Sequence, residues 1–180
     1  MIFSLSIVVW TQNYKISSEK MSNIQTATFG AGCFWKTEYE FLQVPGVIKT
    51  SVGYMGGDFA NPSYLDVVAR ITGHAEVAQI EYDADLVKYE ELLNIFWQMH
   101  DPTSLNRQGA DRGEQYRSIV FYHCLEQQQI AQRSKRQLQQ SGKYDKDIVT
   151  EIKPAKEYYL ATEDHQKYLQ KKHRLSAKKI

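Results

Sequence analysis

Apolar and polar residues recur along this chain with two different periods, and the switches between them outline a fold. Thr26–Gly32 reads as a short strand ending in Gly30-Ala31-Gly32. Cys33–Leu42 then reads as a helix, with Phe34, Tyr39, Phe41 and Leu42 as its apolar residues, and Pro45-Gly46 stops it. Val47–Tyr54 is strand-like. A glycine- and proline-bearing loop follows over 53–63, and Ser63 is placed to cap a short helix through Ala69. Glu76–Tyr82 puts Ala78, Ile80 and Tyr82 on one side, as a half-buried strand does. Tyr89–His100 is the clearest helix, with Leu92, Leu93, Phe96, Trp97 and Met99 as its stripe. Asp101-Pro102 ends it, because a residue before proline avoids the helical region. A polar loop, Asp101–Glu114, precedes a strand at Tyr116–Tyr122. A polar surface helix at Glu126–Gln140 and a strand at Asp147–Ile152 follow, and the remainder reads as helical.

This alternation predicts an α/β (α+β) fold, a two-layer sandwich of one sheet with helices packed on it. A chain of 180 residues suits one domain with a real core. With 42% hydrophobic and 24% charged residues, neither a disordered chain nor a fibre fits. A net charge of +1 argues against general capture of nucleic acid. The charge is uneven, however. Arg133–Ile180 holds 13 Lys+Arg against 6 Asp+Glu, and residues 1–132 hold 9 against 15. The basic end reads as a solvated terminus, since no aromatic interleaving supports base stacking. Met1–Trp10 is apolar, yet far shorter than the roughly 20 residues that span a bilayer. No Lys or Arg precedes Lys15 and no Ala-x-Ala follows, so a secretory signal is not expected and a cytoplasmic location is. The expected organisation is an extension over 1–22, with the domain starting near Met21. A catalytic domain covers 23–170, and a basic tail 171–180.

Two cysteines, Cys33 and Cys124, are too few for a disulfide scaffold, and no Cys-x-x-Cys pair or paired histidines suggest a metal. Cys33 follows two glycines and opens a helix, where the dipole and free N–H groups lower a thiol pKa. It is either a nucleophile or a small core residue. Phe34 and Trp35 either wall an apolar pocket or pack the core. Glu76 enters a strand beside apolar residues, as a carboxyl whose pKa desolvation raises or as an edge charge. His74 beside it reads more readily as a structural hydrogen-bonder than as a base. The long charged loop at 107–118 has the character of a functional loop. Tyr54, Tyr64 and Tyr116 lie in or beside the two glycine-rich loops and offer phenolic donors. The third glycine of a dinucleotide motif and the P-loop lysine are both missing.

Taken together these residues resemble the peptide methionine sulfoxide reductase A family. Gly32-Cys33-Phe34-Trp35 with Glu38 is similar to its active-site signature. Further matches are Gly53-Tyr54, Gly56-Gly57, Asn61-Pro62-Ser63-Tyr64, Thr72-Gly73-His74-Ala75-Glu76, Tyr82-Asp83, His100-Asp101-Pro102-Thr103, Arg107-Gln108-Gly109, Asp111, Gly113, Gln115-Tyr116-Arg117-Ser118, and His165-Gln166 with Tyr168. The resemblance spans about Thr26 to Tyr168 and implies a ferredoxin-like sandwich that reduces methionine S-sulfoxide, free or in proteins. It implies Cys33 as the nucleophile and Glu76 as the acid on the sulfoxide oxygen. Tyr64 and Tyr116 would be supporting donors, Phe34 and Trp35 the holders of the methyl group, and Asp111 an orienting residue. Cys33 would become a sulfenic acid. No metal or prosthetic cofactor is implied, and a monomer is expected, with no nucleic-acid or membrane partner.

The chain lacks the recycling cysteines that many members of that family carry near the C-terminus. Cys124 stands at no position recognisable as a recycling one. The expectation is a one-cysteine enzyme regenerated by an external thiol, thioredoxin or glutathione with glutaredoxin. Two other readings share parts of the pattern. A thiol peroxidase or acyl transferase would use Cys33 without the Phe34-Trp35 cage or the Glu76 acid. A binding module, for oxidised methionine or RNA, has only the basic tail in its favour.

Overall fold

The computed structural model describes residues 23–177. The expectations for Met1–Trp10 and Met21 lie outside them. Strand β1 (Ile24–Ala31) leads into helix α1 (Phe34–Phe41). Strand β2 (Val47–Met55), the short helix α2 (Tyr64–Val68), strand β3 (Ala75–Asp83) and helix α3 (Tyr89–Met99) follow. Two-residue strands β4 (Arg107–Gln108) and β5 (Asp111–Arg112) form a hairpin, and a single 3-10 turn covers Glu114–Tyr116. Strand β6 (Ser118–Tyr122), helix α4 (Leu125–Gln140), strands β7 (Glu151–Pro154) and β8 (Tyr159–Leu160), and helix α5 (Tyr168–Ala177) complete the chain.

Six strands form one mixed sheet in the order β7-β6-β1-β3-β2-β8. Its middle, β6-β1-β3-β2, carries the fourth, first, third and second long strands side by side. With α1 after β1 and α3 after β3, this is the split β-α-β of the ferredoxin-like sandwich. All contacts are antiparallel except β6 with β7. The main core lies between one face of the sheet and helices α1, α3 and α4, where Ala27, Phe29, Ile80 and Tyr82 meet Phe41, Leu92, Leu93, Phe96 and Ile130. Phe29 is stacked among Phe41, Phe96 and Tyr89 at 5.1, 5.2 and 6.0 Å. On the other face Met55, Val77, Ile119 and Phe121 are covered by Ala155 and Tyr158 from the chain after β7. Among the described residues no helix is long and apolar enough to cross a membrane.

Ser63 caps α2 as expected. Its Oγ accepts from Asp66 N, and the Asp66 carboxylate accepts from Ser63 N in return. Three expectations need correction. The last predicted strand lies at Glu151–Pro154, not Asp147–Ile152, because pairing with β6 sets its position in the absence of strong alternation. The remainder is not a continuous helix: β8 adds to the edge of β2, and a buried segment follows before α5. Tyr116 stands in the 3-10 turn ahead of β6, where the left-handed Gly113 turns the chain.

Candidate functional site

Cys33 is the residue before the first turn of α1, and its carbonyl accepts from Lys36 N and Thr37 N. Gly32, at φ +91°, makes the turn from β1; a Cβ there would stand 2.6 Å from Gln108 Cβ. This close approach seats the β4–β5 hairpin against the backbone beside Cys33. Gln108 also exchanges two hydrogen bonds, both 3.0 Å, with the backbone of Asp101. Arg70 at the end of α2 donates to Arg112 O at 2.7 Å. The hairpin is thereby fixed at both ends, and the negative charge of Asp111 at its tip reaches Cys33, Glu76, Tyr64 and Tyr116.

Glu76, the second residue of β3, is 2% exposed. Its Oε2 accepts from the N–H of Phe34 at 3.0 Å, which ties the acid to the residue after Cys33. Burial pushes its pKa up to about 7, and Asp111 adds to this while the Phe34 N–H opposes it. The edge-charge reading of Glu76 is therefore replaced by a buried, half-protonated carboxyl near neutral pH. Tyr64 and Tyr116 have their phenols raised, first by burial and then by Glu76, Tyr116 to about 12, so both stay proton donors.

The thiol departs from the sequence expectation. Cys33 does receive the N–H groups of Trp35 and Lys36, which lower its pKa. Burial outweighs them and, with the Glu76 and Asp111 charges, pushes it up to about 11. A helix N-terminus lowers a thiol pKa only when its hydration is not lost at the same time.

Phe34 is 1% exposed, its ring against Tyr54, His165 and Trp35 at 5.8, 5.4 and 6.2 Å. It backs the site from beneath, and half-buried Trp35 and Tyr64 form the accessible apolar wall. His74 is structural, as its bland reading had it: Nδ1 accepts from Gly57 N and Nε2 donates to Phe59 O.

Three more residues pack around the site: Tyr54, read from the sequence as a phenolic donor, and Glu38 and His165, given no role of their own there. Tyr54 lies opposite Glu76 in the β2–β3 register and is buried against Phe34. Glu38, fully buried in α1, accepts from Thr50 Oγ1 at 2.9 Å and Lys167 N at 2.6 Å. His165 accepts from Trp35 Nε1 at 3.2 Å. Glu38 and His165 were marked in the sequence only by their places in short motifs. A cleft of about 660 Å³ lies beside Gly57, Gly73 and Arg117, and Cys33 does not line it. Among the described residues no cluster of His, Cys, Asp or Glu is arranged to hold a metal.

The register also separates the two thiols. Ala31 pairs with Ser118 and Thr28 with Phe121, so Cys124, beyond β6, is level with the start of β1. It is exposed there, roughly 25 Å from Cys33 at the usual strand rise. The two cysteines cannot join while the sheet is intact.

The sequence model of the family described as peptide methionine sulfoxide reductase matches residues 25–180. Peptide methionine sulfoxide reductase MsrA 1 of Nostoc sp. is 64% identical over 82% of this chain and 91% of its own length. The crystal structure of reduced Mxr1 from Saccharomyces cerevisiae is 34% identical with a TM-score of 0.78, over 83% of this chain and 86% of that one. Methionine sulfoxide reductase A of Corynebacterium diphtheriae is 37% identical at a TM-score of 0.73, over 83% and 75%.

Proposed function

Because the chain belongs to the peptide methionine sulfoxide reductase A family, we propose that Cys33 and Glu76 reduce methionine S-sulfoxide, free and in oxidised proteins, back to methionine. Cys33 Sγ attacks the sulfoxide sulfur, and Glu76 delivers a proton to its oxygen. The methionine sulfur gains two electrons and leaves as the thioether, while the oxygen and its proton end on Cys33 as a sulfenic acid. Cys33 gives up one proton as the oxygen takes one, so the count balances. Tyr64 and Tyr116 donate to the same oxygen, Trp35 and Phe34 hold the methyl group, and Asp111 orients the site.

The observation that carries this reading is the Glu76 carboxyl, buried, near pKa 7, and bonded to the N–H of Phe34. An oxide leaves sulfur only once protonated, and Glu76 is an acid tied to the turn that carries Cys33. The high pKa of Cys33 fits the same scheme. A sulfoxide oxygen that takes up the Glu76 proton brings positive charge beside the thiol, which favours the thiolate and offsets the carboxylate left on Glu76. A thiol peroxidase has no need of this acid or of the Trp35 wall.

The distance between Cys33 and Cys124 supports a one-cysteine cycle. An external thiol, thioredoxin or glutathione with glutaredoxin, forms a mixed disulfide with Cys33 as water leaves, and a second thiol releases the enzyme. The test is single-turnover reduction of separated S and R epimers, followed by mass spectrometry. The S epimer should react, leaving one added oxygen on Cys33, and Cys33→Ser should be inert. Glu76→Gln should slow the step about 10²–10⁴-fold. A near wild-type rate in Glu76→Gln removes the acid from the scheme, and a Cys33–Cys124 disulfide overturns the one-cysteine cycle.

A further inference from the structure

The proposed reaction needs an apolar wall and a phenol donor held at a fixed separation, and one buried side chain touches both. His165 lies on the segment between β8 and α5, 7% exposed. The indole Nε1 of Trp35 can only donate, so His165 Nδ1, 3.2 Å away, is the acceptor. The neutral imidazole then carries its proton on Nε2, which faces Asp164 Oδ2 at 3.7 Å. The same ring lies 4.6 Å from the Tyr64 ring and 5.4 Å from Phe34. Trp35 is further stacked on Tyr168 at 4.0 Å. Tyr168 fixes the plane of the indole, and the hydrogen bond fixes which way its N–H edge points within that plane.

We propose that His165 is a positioning residue for this reaction, resting on the functional reading above: its Nδ1 sets the Trp35 wall and its ring braces the Tyr64 phenol. The two actions fall on different kinetic quantities. The wall meets the methyl group equally in ground and transition states, so its loss raises KM. The phenol meets the oxygen that takes up the proton, so its displacement lowers kcat.

Two variants separate these actions. His165→Phe keeps a ring and loses the acceptor. His165→Asn places an amide oxygen near the Nδ1 position and loses the ring. His165→Phe should raise KM for methionine S-sulfoxide about threefold to tenfold, the scale of one lost hydrogen bond, with kcat unchanged. His165→Asn should restore KM and lower kcat about tenfold, less than the loss of a positioned donor itself. The indole N–H resonance of Trp35, assigned by its absence in Trp35→Phe, should move upfield in His165→Phe and stay in His165→Asn. A wild-type KM with an unmoved resonance in His165→Phe overturns the proposal, as does equal loss of KM and kcat in both variants. The resonance is read without turnover. An active wild type with an unmoved resonance therefore overturns this inference alone, whereas a wild type inert toward sulfoxide overturns the functional reading beneath it.

Discussion

Burying Glu76 costs the fold stability wherever the carboxyl is ionised. Its pKa is raised from the ordinary carboxylate value to about 7, so the folded protein holds this proton more tightly than the unfolded chain does. That preference stabilises the fold fully at low pH and is lost as pH rises from about 4.5 through 7. Glu76→Gln removes the charge without removing the volume. Its melting temperature should match wild type at pH 5 and exceed it at pH 8, by an amount worth up to about 3 kcal/mol. The single-turnover rate of wild type should fall above about pH 7 as the acid ionises, and this limb should be missing in Glu76→Gln. Cys33, held near pKa 11, should react slowly with iodoacetamide at pH 7 in a Cys124→Ser background, faster toward pH 10. Alkylation as fast as that of a free cysteine at pH 7 would contradict the burial argument. Residue types and spacing were enough to mark Cys33 and Glu76 in the sequence. The sign of the Cys33 shift was not, because it combines burial with the charges of Glu76 and Asp111, which lie on β3 and β5, far from Cys33 in sequence.

The long elements were legible because each has a face to bury. The stripe of α3 and the alternation of β3 are read from sequence almost to the residue. The β4–β5 hairpin was not, since Arg107, Gln108, Asp111 and Arg112 carry no apolar pattern and the hairpin is held by Gln108, Arg70 and the approach to Gly32. Gly32 is where element geometry meets chemistry. Gly32→Ala puts a methyl group into Gln108 and asks an L-residue to hold φ +91°. The expected outcome is a loss of about 1–3 kcal/mol in chemical denaturation, together with a slower reductive step as Cys33 and the hairpin move apart. A variant with full activity would show that the hairpin does not need this contact.

At the scale of the whole molecule the site is closed by chain that lies far from Cys33 in sequence. Gln166 accepts from Val52 N and donates to Val52 O and Ala161 O, all at 2.8 Å, bridging β2 and the end of β8. Glu38 binds Lys167 N next to it. Gln166→Ala leaves the buried Val52 N–H without its partner, while Val52 O keeps the N–H of Ala161, and should cost about 1–3 kcal/mol by denaturant titration. No periodicity announces such a clamp, since it is made of single polar contacts between segments with no shared pattern. Its consequence reaches into synthesis. Val52 meets Gln166 across 114 positions, Trp35 meets His165 across 130, and Lys167 meets Glu38 across 129. Closing loops of this span is an entropic step that local contacts cannot begin to repay. A ribosome that has released Cys33 and Glu76 has therefore made only part of their surroundings. The packing around Trp35 and Glu38 is completed only after the residues around 165 emerge.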